Sequence, residues 1–191
     1  MTKAKIYQTG TINSLIQAVY DGDTSIGELK EHGDFGLGTF DLVDGELIVC
    51  DNNYYRADAN GNLTIANDEI KSPFAVVSNF KAEQSFTVEE QNFETLEQFI
   101  AEKFISKNLI YAIKVQAEFK SISLRSENCQ AKQYHKLYET MPKLQHTFTE
   151  DNLTGTLVGV WFPHYLQQVN VPGFHFHFID VAEEIGGHVY G

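Results

Sequence analysis

The feature that most constrains this 191-residue sequence is a strand-like run near its C-terminus, Gly173-Phe174-His175-Phe176-His177-Phe178-Ile179, followed by Gly186-Gly187-His188. Side chains on a strand alternate between faces, so His175 and His177 share one face, about 7 Å apart along the strand. Phe174, Phe176 and Phe178 share the other, which reads as core. A turn holding Gly186 and Gly187 returns the chain and stands His188 on the neighbouring strand. Three imidazoles converging on one point can hold a divalent metal ion and leave coordination positions open. Open positions mark catalytic rather than structural zinc. An isolated H-x-H pair is a weak signal, as often a surface or core pair as a ligand set.

Composition narrows what such a centre can serve. A net charge of −12 argues against nucleic acid and against anionic membrane surfaces. An anionic substrate would therefore need a local positive site, which a metal ion and one arginine could give. Met1-Thr2-Lys3-Ala4-Lys5-Ile6 holds no apolar run of the signal-peptide kind, and no stretch approaches a membrane span. Cys50 and Cys129 are too few for a disulfide framework and too far apart for a C-x-x-C motif. A cytoplasmic, reduced protein is the simplest expectation.

Read in order, Ile6-Tyr7-Gln8 starts a strand or an ordered arm. Thr11 reads as the N-cap of a helix carrying Ile12, Leu15, Ile16 and Val19, stopped by Asp21-Gly22-Asp23. Thr24 or Ser25 caps a shorter helix through Leu29. Gly36–Leu42 and Glu46–Cys50 read as paired strands across a Val43-Asp44-Gly45 hairpin turn. Tyr54–Ala57 and Leu63–Ile65 flank a turn at Asn60-Gly61, and Phe74–Ser78 is a further strand. A helix is expected from about Phe93 to Lys103, then a long strand from Ile110 toward Arg125 with Ile113, Val115, Ala117 and Phe119 on its buried face. Residues 127–152 read as polar and mixed, with a short helix around Tyr134–Glu139. Thr154–Phe162 is a buried strand ended by Pro163, and a loop from His164 to Pro172 leads into the histidine strand. The class expected is α+β: mixed or largely antiparallel sheets with a few helices. Two sheet-based subdomains, 1–82 and 83–191, would form one catalytic unit, the second carrying the metal site.

Several of these segments together resemble the α-acetolactate decarboxylase family. They are His32–Thr39 with Asp44–Ile48, Ser72-Pro73-Phe74-Ala75, Tyr111-Ala112-Ile113-Lys114 through Arg125, and Val171–Phe178 with Gly186-Gly187-His188. The resemblance runs in order from about residue 7 to residue 190. It implies zinc on His175, His177 and His188, an active-site glutamate at Glu46, an arginine at Arg125, and a homodimer. The implied reaction is decarboxylation of 2-acetolactate to acetoin and carbon dioxide. The metal would polarise the ketone and stabilise an enediolate, Arg125 would hold the substrate carboxylate, and Glu46 would deliver or relay a proton. No organic cofactor is implied, because the substrate is already a β-keto acid. The family also continues past its third histidine and brings a further glutamate into the site, which no residue here matches. Three expectations then stand together, each with an open hydrophobic face or edge beside His188: a truncated gene product, a natural short form with altered activity, or a form completed by a partner chain.

Other readings stand beside that one. H-x-H with a distant histidine also occurs in β-barrel oxygenases and isomerases, which commonly use iron or manganese. A carboxylate ligand close to the pair would favour them, and Asp180, Glu183 and Glu184 are available. A non-catalytic, metal-stabilised form is the third reading. Glu46 follows a turn, where a solvated glutamate is the default, and Arg125 could lie on a wet strand face. His32, His135, His146 and His164 have no partner at ligand spacing and read as structural. Cys50 alternates with Glu46 and Ile48 on one face and reads as core. Glu89, Glu90 and Glu94 read as a solvated face.

Overall fold

The protein is described by a computed structural model, here over residues 5–191; residues 1–4, part of the N-terminal reading, lie outside the described residues. In chain order the elements are β1 (Ile6–Thr9), α1 (Ile12–Ile16), β2 (Thr24–Ser25), α2 (Ile26–Lys30), β3 (Phe35–Thr39), β4 (Glu46–Cys50), β5 (Asn53–Ala57), β6 (Leu63–Ile65), β7 (Lys71–Ser72), β8 (Phe74–Ser78), α3 (Phe93–Glu102), β9 (Tyr111–Glu127), α4 (Leu137–Leu144), β10 (Gln145–Phe162), β11 (Gly173–Asp180) and β12 (Gly186–Val189). Six strands form one antiparallel sheet in the order β1-β8-β3-β4-β5-β6, and β10-β11-β12-β9 close into a barrel. This is the antiparallel α+β class expected. Among the described residues, no helix is long and apolar enough to cross a membrane.

The layers follow from strand alternation. On β4, Leu47 and Val49 point to one side and pack with Ile26 and Leu29 of α2. Glu46, Ile48 and Cys50 point to the other side, toward the barrel. There Ile48 and Cys50 meet Val158 and Ile179, while Leu37 and Val76 meet Val160 and Phe162. The opposite faces of the barrel strands bring Leu157, Phe176, Phe178, Leu124 and Val189 together, with Phe93, Leu96 and Ile100 of α3 packed against them. Cys50 is thus core, as expected.

Capping chemistry set several boundaries correctly. Thr11 caps α1 in a reciprocal box with Ser14, and Ser25 caps α2 through the Glu28 amide. Other expectations are corrected. Helix α1 stops at Ile16, because Ala18 turns left-handed (φ 72°) and leaves Val19 exposed. The β3–β4 connection is not a tight Asp-Gly hairpin. Strand β3 ends at Thr39, and residues 40–45 include a 3-10 turn at Asp41–Val43. Tertiary bonds hold that loop: the Leu42 amide donates to the Tyr20 carbonyl, and the Gln130 amide donates to the Leu42 carbonyl. The tight turn falls instead at Asp51-Asn52, both left-handed, between β4 and β5.

The polar segment 127–152 carries more structure than its composition indicates. Its helix is α4 at Leu137–Leu144, later than expected, and β10 begins directly at Gln145. The polar first half of β10 pairs with β9 from Gln145↔Glu127 to Asp151↔Ser121. Apolar alternation is weak there because much of the hairpin faces water; the ladder and barrel closure hold it. The open edge expected beside His188 is also corrected: β12 bonds to β11 on one side and β9 on the other.

Two glycines on β10 make room for the phenylalanines of β11. Gly159 lies opposite Phe176 in register, and a Cβ there would come 2.2 Å from the ring. At Gly155 the corresponding distance to Phe178 is 2.3 Å. The substitution Gly159→Ala must displace the Phe176 ring. It should cost about 1–3 kcal/mol, seen as a lower urea midpoint at unchanged m-value; an unshifted midpoint would show that the ring has space to move.

Candidate functional site

Register assembles the centre. His177 pairs with His188, and His188 pairs with Arg125, so three adjacent strands place these side chains in one row. His175 stands two residues along β11 on the same face as His177. The ligand atoms of His175, His177 and His188 all lie within 4.8 Å of one another. Glu46, the first residue of β4, reaches them from the facing sheet. Its carboxylate oxygens lie 3.5 Å from His177 Nε2 and 3.9 Å from His188 Nδ1. Arg125 Nη2 lies 3.0 Å from His188 Nε2. The five side chains singled out in the sequence therefore meet between the two sheets.

The donors fit a metal ion. His177 Nδ1–H donates to the Leu47 carbonyl at 2.8 Å, which leaves Nε2 as its free lone pair. That Nε2 is buried and has no hydrogen-bond partner, and His175 Nδ1 is likewise unpartnered. His175 Nε2 and His188 Nδ1 face each other at 3.2 Å. Two nitrogens bound to one tetrahedral zinc ion would be roughly 3.3 Å apart. A neutral, all-imidazole donor set suits zinc and also other first-row divalent ions.

Burial sets the protonation states. It lowers the pKa of His175 to about 3, with the Arg125 charge adding to the effect. Burial and then the neighbouring imidazoles push His177 and His188 well below the usual range. Glu46 moves the other way. Burial raises it well above the ordinary carboxylate range, the Glu127 charge and a hydrogen bond to Glu127 add to this, and Arg125 opposes it. With the His177 imidazole uncharged, the Glu46–His177 contact is not an ion pair. A cation among the imidazoles would favour the ionised carboxylate instead.

Glu127 was missed by the sequence reading. It is buried, two residues beyond Arg125 on the same strand face, and in hydrogen-bond contact with Glu46. The signal was available: residues 125 and 127 share a face on any strand. Residues 127–152 read as polar and mixed in sequence, which hid it. The rival carboxylates are elsewhere. Asp180 accepts the amides of Glu184 and Ile185 and so holds the β11–β12 turn, while Glu183 and Glu184 are exposed. Of the remaining histidines, His32 stacks on Tyr7 and His146 bonds Asn128. His135 lies 3.8 Å from Glu139. His164 is exposed at the head of a 3-10 turn.

A six-stranded antiparallel sheet docked on a closed four-stranded barrel, with a three-histidine cluster between them, defines a narrow class of α+β proteins. Within that class the chain belongs to the alpha-acetolactate decarboxylase family, whose sequence profile it matches over residues 6–191. It is 42% identical over 185 residues to the alpha-acetolactate decarboxylase of Methanosarcina mazei, covering 96% of this chain and 64% of that protein. The Bacillus subtilis alpha-acetolactate decarboxylase is 38% identical over 188 residues, 98% of this chain and 73% of that protein. A crystal structure of the Bacillus subtilis protein superposes with a TM-score of 0.94, covering 97% of this chain and 79% of that one. A Staphylococcus aureus protein of unknown function, described as similar to alpha-acetolactate decarboxylase, is 31% identical with a TM-score of 0.93, covering 96% of this chain and 79% of that one. The chain thus spans just under two thirds of the length of the Methanosarcina relative.

The shifted groups predict a pH dependence for the metal-free protein. The three histidines take up protons below about pH 6.5 when unfolded, and far less readily when folded. Their burial is therefore tolerated above that pH and becomes destabilising as pH falls through it. Glu46, raised in the folded state, contributes stability below its unfolded pKa that is lost as pH rises through the folded one. Three groups outweigh one between pH 4.5 and 6.5. The melting temperature should fall from pH 7 to pH 5; an unchanged value would contradict neutral, desolvated imidazoles.

Proposed function

We propose that this chain decarboxylates 2-acetolactate to acetoin and carbon dioxide, using zinc held by His175, His177 and His188. The observation that carries the reading is the meeting of three uncharged imidazoles with one carboxyl and one guanidinium at a single buried point. Membership of the family, and its relatives being alpha-acetolactate decarboxylases, support the choice of reaction. Zinc at this position would act as a Lewis acid on the ketone beside the breaking bond.

The chain's own residues account for the remaining steps. Arg125 is half-buried, and its Nε is a buried donor without a partner, so it can receive the substrate carboxylate and fix its orientation. When the carbon–carbon bond breaks, the carboxylate leaves as neutral carbon dioxide and an electron pair stays on the hydroxyl-bearing carbon. That carbon must then gain a proton. Glu46 is the acid nearest the histidines, and its contact with the buried Glu127 carboxyl favours the protonated form. The Leu47 carbonyl holds the His177 ring in one orientation, so its lone pair need not reorganise. The oxygenase-type reading is less supported, because the carboxyl at this centre is Glu46 from the facing sheet and Asp180 is committed to a turn.

The test is acetoin formation from racemic 2-acetolactate by zinc-loaded protein. His175→Ala should abolish both zinc retention and turnover. Glu46→Gln should keep zinc and lower kcat by about 10²–10⁴-fold. Zinc bound at one ion per chain without acetoin would sink the decarboxylase reading, and full activity of Glu46→Gln would remove Glu46 from the proton step.

A further inference from the structure

Arg125 is held unusually for a half-buried arginine. Its Nη1 donates to Gln145 Oε1 at 2.8 Å, and its Nη2 borders His188 Nε2 at 3.0 Å. Its Nε is buried with no partner. Among the described residues, no carboxylate lies in ion-pair contact with it; Glu46 instead borders His177 and His188. The guanidinium is thus oriented by the neutral Gln145 oxygen, with no carboxylate in contact with it among the described residues. Arginines at such depth are normally paired with an acid.

Gln145 sits where it can do this because of the β9–β10 ladder. It is the first residue of β10 and pairs directly with Glu127, while Thr147 pairs with Arg125. Gln145 is therefore the diagonal neighbour of Arg125 on the same face, a separation that long side chains bridge. The end of α4 fixes its position, since Leu144 closes that helix and its carbonyl accepts the Asn128 amide. A glutamate here could make the same hydrogen bond and would also cancel the charge.

We propose that Gln145 is a positioning and specificity-determining residue. Its amide oxygen fixes the plane of the Arg125 guanidinium while keeping the positive charge available for the carboxylate of a small 2-hydroxy acid. The inference rests on the decarboxylase reading for the identity of the substrate, and on this geometry alone for the anion. An incoming carboxylate completes the arginine's hydrogen bonding and supplies the missing counter-ion. Discrimination against uncharged analogues follows, because they would leave a desolvated charge unpaired.

The test compares zinc-loaded wild type, Gln145→Glu and Gln145→Met. Two readouts are used: KM and kcat for 2-acetolactate, and calorimetric binding of 2-hydroxy-2-methylpropanoate, an acid with no ketone to decarboxylate. Gln145→Glu keeps the acceptor oxygen and should raise KM and the hydroxy-acid Kd by about tenfold or more, with a smaller change in kcat. Gln145→Met removes the acceptor and should raise KM and also lower kcat. Melting temperature and zinc stoichiometry should stay near wild type in Gln145→Glu. KM and Kd within twofold of wild type in Gln145→Glu would overturn the proposal, whether or not Gln145→Met folds. If wild type forms no acetoin, the decarboxylase reading fails by itself. Hydroxy-acid binding then decides: weaker binding to Gln145→Glu supports Gln145 as the setter of an anion site, and equal binding refutes it.

Discussion

Strand β12 is four residues long, yet its hydrogen bonds to β11 on one side and β9 on the other decide which side chains meet. A slip of one residue would turn His188 toward the phenylalanine core and put Gly187 or Val189 in its place. The row His177–His188–Arg125 exists only in the observed register. The two glycines before His188 allow it: Gly186 lies against Ile48 and Leu63, and Gly187 against the Arg125 carbonyl, where a Cβ would collide. On the opposite face, Phe176 and Phe178 fit over Gly159 and Gly155 and so hold the β10–β11 register.

The second constraint is electrical. A chain of net charge −12 places an uncompensated guanidinium and three neutral imidazoles at one buried point. Among the described residues the acids there are Glu46 and Glu127, and burial together with the Glu127 charge favours the protonated form of Glu46. The region is thus kept short of negative charge inside an acidic protein. Such a site favours a divalent cation together with a small anion over either alone, because each offsets the desolvation cost of the other.

Much of this was legible in the sequence because it depends on local rules. Alternation fixed the faces of His175, His177 and the phenylalanines, and Thr11 and Ser25 announced their helices. Spaced motif matches singled out Glu46 and Arg125, two residues whose local context also allowed a solvated role. What could not be read depends on partners distant in the chain. The first half of β10 looks like loop because polar strands carry little periodic signal when one side faces water. Gln145 and Glu127 gain significance only after β9 and β10 pair, and the loop before Glu46 takes its shape from Tyr20 and Gln130 rather than from Asp44-Gly45.

The bond from His177 Nδ1 to the Leu47 carbonyl joins the barrel to the sheet that carries Glu46. It behaves as a latch between two bodies. Docking of the two layers clamps the ring with its Nε2 lone pair aimed inward. Any ion that prefers the clamped ring must, by reciprocity, tighten the docking of the two sheets by the same factor. The affinity of the centre for its ion is in that sense a gauge of how firmly the two layers are closed.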